Sequence, residues 1–250
     1  MSSVTIICCY NNINLYSRFC NSIRNQDIEI DIVGIDNCNN TFSSCSKAYN
    51  YALKRVNTKY VIFSHQDIEF VERDTVSKFA KCLCCLKEND ILGVAGRKEG
   101  GKCVITNIKH GKNLSYAGGQ RVRELETCQT VDECFFGGYS SYFKINCFDE
   151  IICNNWHLLA TEQCLRTLSR GGNVYVCDLR MIHYSSGKVN HVYNHEIYQL
   201  SKKYKKYFSY VSTSCRNSKT SFPFDIFSFL IYALRISIND IKQKMNNCRL

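Results

Sequence analysis

Residues 60–70 read YVIFSHQDIEF. Tyr60, Val61, Ile62 and Phe63 have strand character, and His65, Gln66 and Asp67 follow at once, with Glu69 two further on. A carboxylate at the end of a buried strand costs desolvation free energy unless it is paired or binds a cation. Hard divalent cations take oxygen ligands, commonly one or two carboxylates plus phosphate oxygens. Imidazoles at His65 and His183 would suit a manganese-like ion. On this reading Asp67 is a metal ligand. On the plainer alternative it caps a turn and Glu69 is solvated.

The surrounding elements decide what can meet Asp67. VTIICCY (4–10) is an apolar run ending at Asn11 and Asn12, and IEIDIVGID (28–36) alternates as a second strand ending at Asp36. Residues 60–64 make a third strand and ILGVAGR (91–97) a fourth. Helices are predicted between them, over 13–25, over 44–56 with Cys45, Tyr49, Ala52 and Val56 on one stripe, and after Asp74 as N-cap. Alternation of strand and helix implies an α/β fold with a mostly parallel sheet flanked by helices. Ligands of such sheets bind outside the carboxyl ends of the strands. Asn11, Asn12, Asp36, His65 and Asp67 are therefore expected to converge on one crevice.

Further along, residues 98–128 are glycine-rich and polar and read as a hairpin or mobile loop. TVDECFFGGYSSYFK (130–144) reads as a strand pair or one bent strand. A helix is predicted over 156–170, closed by Gly171, and a strand over 174–187 that leads to His183. On the helix, Glu162 borders the apolar face, where it is either a proton acceptor or the i,i+4 ion-pair partner of Arg166.

The chain has 250 residues, 45% of them hydrophobic and 22% charged, which is ordinary globular composition. The N-terminus lacks the pattern of a signal peptide, and no apolar run of membrane-spanning length is expected. Seventeen cysteines in a chain of this length, many in strand-like and helix-like cores, read as reduced apolar residues of a cytoplasmic protein. Cys82 and Cys85 form a lone CxxC, better explained by helix packing than by metal or redox chemistry.

The order of these segments, with DN after the second strand, YVIFSHQDIEF, VDECFFG, FDE, a WH…TEQCLR…GG stretch and IHYSSG, resembles the family-two glycosyltransferases of GT-A fold over about residues 4–187. Within them it is similar to a bacterial branch with an H-Q-D metal motif. The resemblance implies metal-dependent transfer of a sugar from a nucleotide-sugar donor to an acceptor hydroxyl, with inversion, in cell-surface glycan synthesis. It implies a Mn2+ or Mg2+ ion at Asp67 and His183. It implies donor contacts from Cys9, Tyr10, Asp36, Asn50, His65 and Gln66, and acceptor-side contacts from Asp132, Trp156 and His157. Glu162 is the implied general base, with Asp149 and Glu150 as fallback acids. The implied domain plan is a catalytic domain over 1–195, its nucleotide-sugar half about 1–98 and its acceptor half about 99–195, then a basic helical extension over 196–250. A non-catalytic, nucleotide-sugar-binding partner subunit is the alternative.

The extension carries most of the net charge. Residues 201–250 hold ten Lys/Arg against Asp225 and Asp240, so +8 of the +10 lies there. Phe227, Leu230, Leu234, Ile238 and Ile241 recur at helical spacing. Such a segment over 201–245 either lies on an anionic membrane surface, giving a peripheral protein on the cytoplasmic face and access to a lipid-linked or glycan acceptor, or packs on the domain or a second subunit. With no nucleic-acid motif, nucleic acid ranks below both.

Overall fold

The structure, a computed structural model, describes residues 3–111, 113–185 and 189–247. Its first half runs β1 (Val4–Tyr10), α1 (Ile13–Arg24), β2 (Asp31–Asp36), α2 (Cys45–Leu53), β3 (Tyr60–Ser64), β4 (Ile68–Phe70), α3 (Thr75–Cys84), β5 (Ile91–Gly93) and β6 (Ala95–Arg97). Short strands follow: β7 (Ile105–Thr106), β8 (Lys109–His110), β9 (Ser115–Tyr116), β10 (Leu125–Thr127) and β11 (Thr130–Val131). The remainder is β12 (Phe135–Tyr139), α4 (Ser140–Ile145), α5 (Leu159–Ser169), β13 (Val174–Cys177), β14 (Met181–His183), α6 (His191–Tyr204), β15 (Tyr210–Ser212), β16 (Asn217–Lys219) and α7 (Phe224–Asn247).

Seven strands form the central sheet in the order β10-β13-β5-β12-β3-β1-β2. β2, β1, β3, β5 and β13 run one way, while β12 and β10 oppose them. The mostly parallel sheet expected from the alternation is therefore present, with β12 inserted between β3 and β5. Side chains alternate across it as the pleat requires. Val61 and Phe63 of β3 join α2, α5 and α6 in one core, and Tyr60 and Ile62 join α1 and α3 in the other. A smaller sheet, β4-β14-β8-β9, stands at the carboxyl end of β3.

Local chemistry sets the helix starts. The Asn12 side chain accepts from Asn14 N and Leu15 N, and Ser44 Oγ accepts from Lys47 N. Asp74 opens α3 as expected but makes no side-chain cap; its carboxylate pairs with Lys78 at 3.1 Å instead. Gly171 closes α5 with φ +82°. The expected fourth strand divides at Val94 into β5 and β6, which serve different sheets. The 98–128 segment is built from short strands, of which β8 and β9 pair as a hairpin. All sixteen described cysteines are free, and Cys82 packs with Cys177 against the core. No described helix is long and apolar enough to cross a membrane.

The expected boundary at residue 195 falls inside α6, whose Ile197, Leu200 and Tyr204 are buried in the same core as α5. An ionic network locks the two helices together. Glu162 is fully buried; its Oε1 accepts from Lys203 Nζ and Tyr204 OH and its Oε2 from Arg166 Nη2, each at 2.8 Å. Lys203 also pairs with Asp149 at 2.8 Å. Removing one member leaves buried charge unpaired, so Glu162→Ala is expected to lower the unfolding free energy by about 3–5 kcal/mol in urea denaturation. A loss below about 1 kcal/mol, the value of an exposed pair, would show that the network does not hold α5 to α6.

Candidate active site

His65, Asp67 and His183 offer ligand atoms that all lie within 4.8 Å of one another. His65 Nδ1 is 3.3 Å from His183 Nε2, and Asp67 Oδ1 is 3.4 Å from His183 Nε2 and 4.0 Å from His65 Nδ1. Three elements bring them together. β3 ends at Ser64, and His65 N donates to Cys134 O just before β12. The chain then turns through Asp67 into β4. Antiparallel pairing of β4 with β14 sets His183 opposite Ile68. Tyr184 N donates to Asp67 O, and Ser185 N donates to Asp67 Oδ2 at 3.2 Å.

Electrostatics favour the ionised carboxylate beside a neutral His65. Burial opposes charge on Asp67, but the hydrogen bond and charge of His183 hold its carboxyl well below the usual carboxylate range. Burial, then the charge of His183, push the His65 imidazole down. His183 is raised despite burial, because it is bonded to Asp67. Two imidazole nitrogens and a carboxylate oxygen this close together are a donor set that can hold a divalent ion. Glu69 is not part of this group, since it accepts from Arg18 and the Tyr184 hydroxyl.

A cleft of about 370 Å³ opens on one side of the triad, lined by Cys9, Tyr10, Asn37, Asn40, Tyr49 and Trp156 together with His65, Gln66, Asp67 and Ser185. Tyr10 forms its wall by stacking on Tyr16 at 3.9 Å with the rings 8° apart. Tyr16 lies over Gly34, where an added Cβ would stand 2.1 Å from its hydroxyl oxygen and would displace the ring end. Gln66 is tied back to the β1–α1 turn. Its Oε1 accepts from Asn11 N and Asn12 N, and its Nε2 donates to Asn11 Oδ1 at 2.7 Å.

A second cavity, of about 260 Å³, lies on the other side and shares His65 and Ser185 with the first. Asp132, Glu133, His157, His183, Tyr193 and Ser214 contribute its polar lining. Burial opposes charge on Asp132, but the Ser214 hydrogen bond and the charges of His183 and His65 hold its carboxyl below the usual range. Burial, then the charge of Asp132, push Glu133 up to about 8.

The structure thus collects Cys9, Tyr10, His65, Gln66, Asp67 and Trp156 around one cleft and Asp132, His157 and His183 around the adjoining cavity. Trp156 and His157 face different cavities. Asp36 stands at the exposed strand end, where its carboxylate accepts from Cys38 N at 2.9 Å. Two expected residues lie elsewhere. The Asn50 side chain is consumed by Phe148 N, Phe148 O and Glu150, tying α2 to that loop. Glu162 is enclosed by Lys203, Tyr204 and Arg166 and lines neither cavity; the i,i+4 pair with Arg166 is formed. Ser186 and Gly187 of the IHYSSG stretch lie outside the described residues. Ser185, Glu133, Tyr193 and Ser214 were missed. Glu133 alone carried a signal, a second acid beside Asp132.

A curated relative from Fuscovulum blasticum, named ATP synthase subunits region ORF 6, is 26% identical over 164 residues, 62% of this chain and 64% of its own. The solved structure of S. aureus TarS 1–349 with UDP-GlcNAc superposes with TM-score 0.54 at 15% identity, covering 80% of this chain and 66% of its own. The mannosyltransferase PcManGT from Pyrobaculum calidifontis, solved with GDP-Man and Mn2+, gives 0.55 at 12% identity, covering 82% and 63%. The chain thus spans just under two thirds of the length of these relatives. The fold is that of GT-A glycosyltransferases. Residues 5–211 match the sequence profile described as "Glycosyltransferase like family", and the chain belongs to that family.

Proposed function

We propose that the chain transfers a sugar from a nucleotide-sugar donor to an acceptor hydroxyl with inversion, in the synthesis of a cell-surface glycan. The observation that carries this is the His65–Asp67–His183 group at the junction of two cavities, at the carboxyl end of β3. Asp67, His183 and His65 are the residues to hold a divalent ion. When bound, that ion neutralises charge on the departing diphosphate. The nucleoside is assigned to the cleft, where Tyr10 offers a ring held flat by Tyr16 and Asn37 and Asn40 offer amides. Gln66 fixes the β1–α1 turn against the strand end that carries Asp67. The inner cavity is left for the transferred sugar and the attacking hydroxyl. Single displacement at the anomeric carbon inverts its configuration.

Calorimetric titration of uridine, guanosine, cytidine and adenosine diphosphates, with Mn2+, Mg2+ or neither, tests the donor site. One nucleotide is expected to bind in the presence of Mn2+, more weakly with Mg2+. Asp67→Ala is expected to weaken that binding by more than the roughly 10–100-fold seen when outer partners of metal ligands are removed. Binding of none, or equal binding by Asp67→Ala, contradicts the reading.

The acceptor is proposed to be lipid-linked, and α7 the element that reaches it. One side of α7 packs on α6 and the β15–β16 hairpin: Ile236 is buried, Phe229 meets Tyr198, and Tyr232 lies under Arg216 at 3.7 Å. The other side leaves Phe227, Leu230, Leu234 and Ile241 more than half exposed. An apolar stripe of this length on a monomer marks an interaction surface. Residues 201–250 carry a net +8, with Lys203 and Arg216 engaged inside the fold, and the remaining cations of the segment suit an anionic lipid surface. The chain is expected to sediment with phosphatidylglycerol vesicles but not with phosphatidylcholine vesicles, and Leu230→Glu with Leu234→Glu is expected to release it. Concentration-dependent dimers without vesicle binding would instead assign the stripe to a second copy.

A further inference from the structure

Glu162 lies outside both cavities, so the acceptor hydroxyl needs a different proton acceptor. Of the buried side-chain atoms without a hydrogen-bond partner among the described residues, one belongs to a residue that lines the inner cavity: Glu133 Oε1. Glu133 sits in the turn between β11 and β12 and accepts a backbone hydrogen bond from Leu158. Leu158 in turn holds φ +65°, a left-handed conformation costly for leucine, at the start of α5. An unpartnered buried carboxylate oxygen and a strained backbone meet at one point. Features of this kind persist where function requires them.

The other acids near the cavity are committed. Asp67 belongs to the metal group, and Asp132 accepts from Cys134 N at 3.0 Å and from Ser214. His157 lines the same cavity and lies edge-on to Tyr193. Asp132 and Glu133 are adjacent carboxylates with proton affinities pushed apart, the pattern that separates a standing anion from a group poised to exchange a proton.

We propose that Glu133 is the general base of the transfer; this rests on the transferase reading above. Glu133 takes the proton of the acceptor O–H, and the hydroxyl oxygen forms its bond to the anomeric carbon. The bond from that carbon to the donor phosphate oxygen breaks, and its electron pair leaves on the nucleoside diphosphate. Water in the cavity takes the place of the acceptor in slow donor hydrolysis, which needs the same proton acceptor and no knowledge of the natural acceptor.

The test uses the full chain with Mn2+ and a panel of UDP- and GDP-sugars, measuring donor Kd by calorimetry and nucleoside diphosphate release by coupled assay. Glu133→Gln is expected to keep Kd within about twofold and to lower kcat by about 10²–10⁴-fold, the usual share of a general base. Glu133→Asp is expected to recover part of that loss, and His157→Ala to keep Kd and lose less than Glu133→Gln. Glu133→Gln turning over at the wild-type rate overturns the assignment. So does a variant that loses donor affinity and melting temperature together, which would make Glu133 a structural residue. A wild type that binds a donor yet releases no nucleoside diphosphate removes the base and leaves the donor site standing. No donor binding at all removes both.

Discussion

The pairing of β4 with β14 is the constraint on which the site depends. Asp67 sits in the short turn between β3 and β4, and nothing local satisfies its carboxylate. Its partners, His183 and Ser185, arrive from 116 and 118 residues later, and they arrive only because Ile68 and His183 lie opposite one another in a small sheet. A slip of one residue in that register would turn His183 to the other face. The long-range pairing brings a costly strand-end aspartate against two imidazoles at a corner between two cavities.

The sheet order serves the same corner. β12 runs antiparallel between β3 and β5, so the chain entering β12 passes the carboxyl end of β3. That path carries Asp132 and Glu133 to the inner cavity and lets Cys134 O accept from His65 N. The α5 start completes the cavity with His157 and Leu158. α5 itself is fastened to α6 through Glu162, Lys203, Arg166 and Tyr204. Stability and chemistry thus use different carboxylates: Glu162 is neutralised by cations, while Glu133 keeps an oxygen without a partner.

Much of the first hundred residues was legible from the order of residues alone. Apolar or alternating runs marked the parallel strands, and polar residues past the strand ends marked the crevice. Asp67 and His183 could be singled out because each lies at or just past a strand end. Less was legible where tertiary partners decide. Glu162 borders an apolar face in either role, and the Lys203 and Tyr204 that enclose it come from some forty residues on. Asn50 has the chemistry of a donor contact, but the 148–150 loop claims its amide. The 98–128 segment hides strands of two or three residues, too short for a period to show. Ser214 reaches the cavity from a hairpin in a stretch that reads only as basic tail.

The central claim is that two imidazoles and one carboxylate hold the ion at this corner. Pulsed electron paramagnetic resonance of Mn2+ bound together with a nucleoside diphosphate tests it most directly. The account predicts imidazole ¹⁴N couplings that weaken when either His65 or His183 is replaced by alanine and that vanish when both are. Mn2+ bound with phosphate and water oxygens alone, its spectrum unchanged by those replacements, would contradict it.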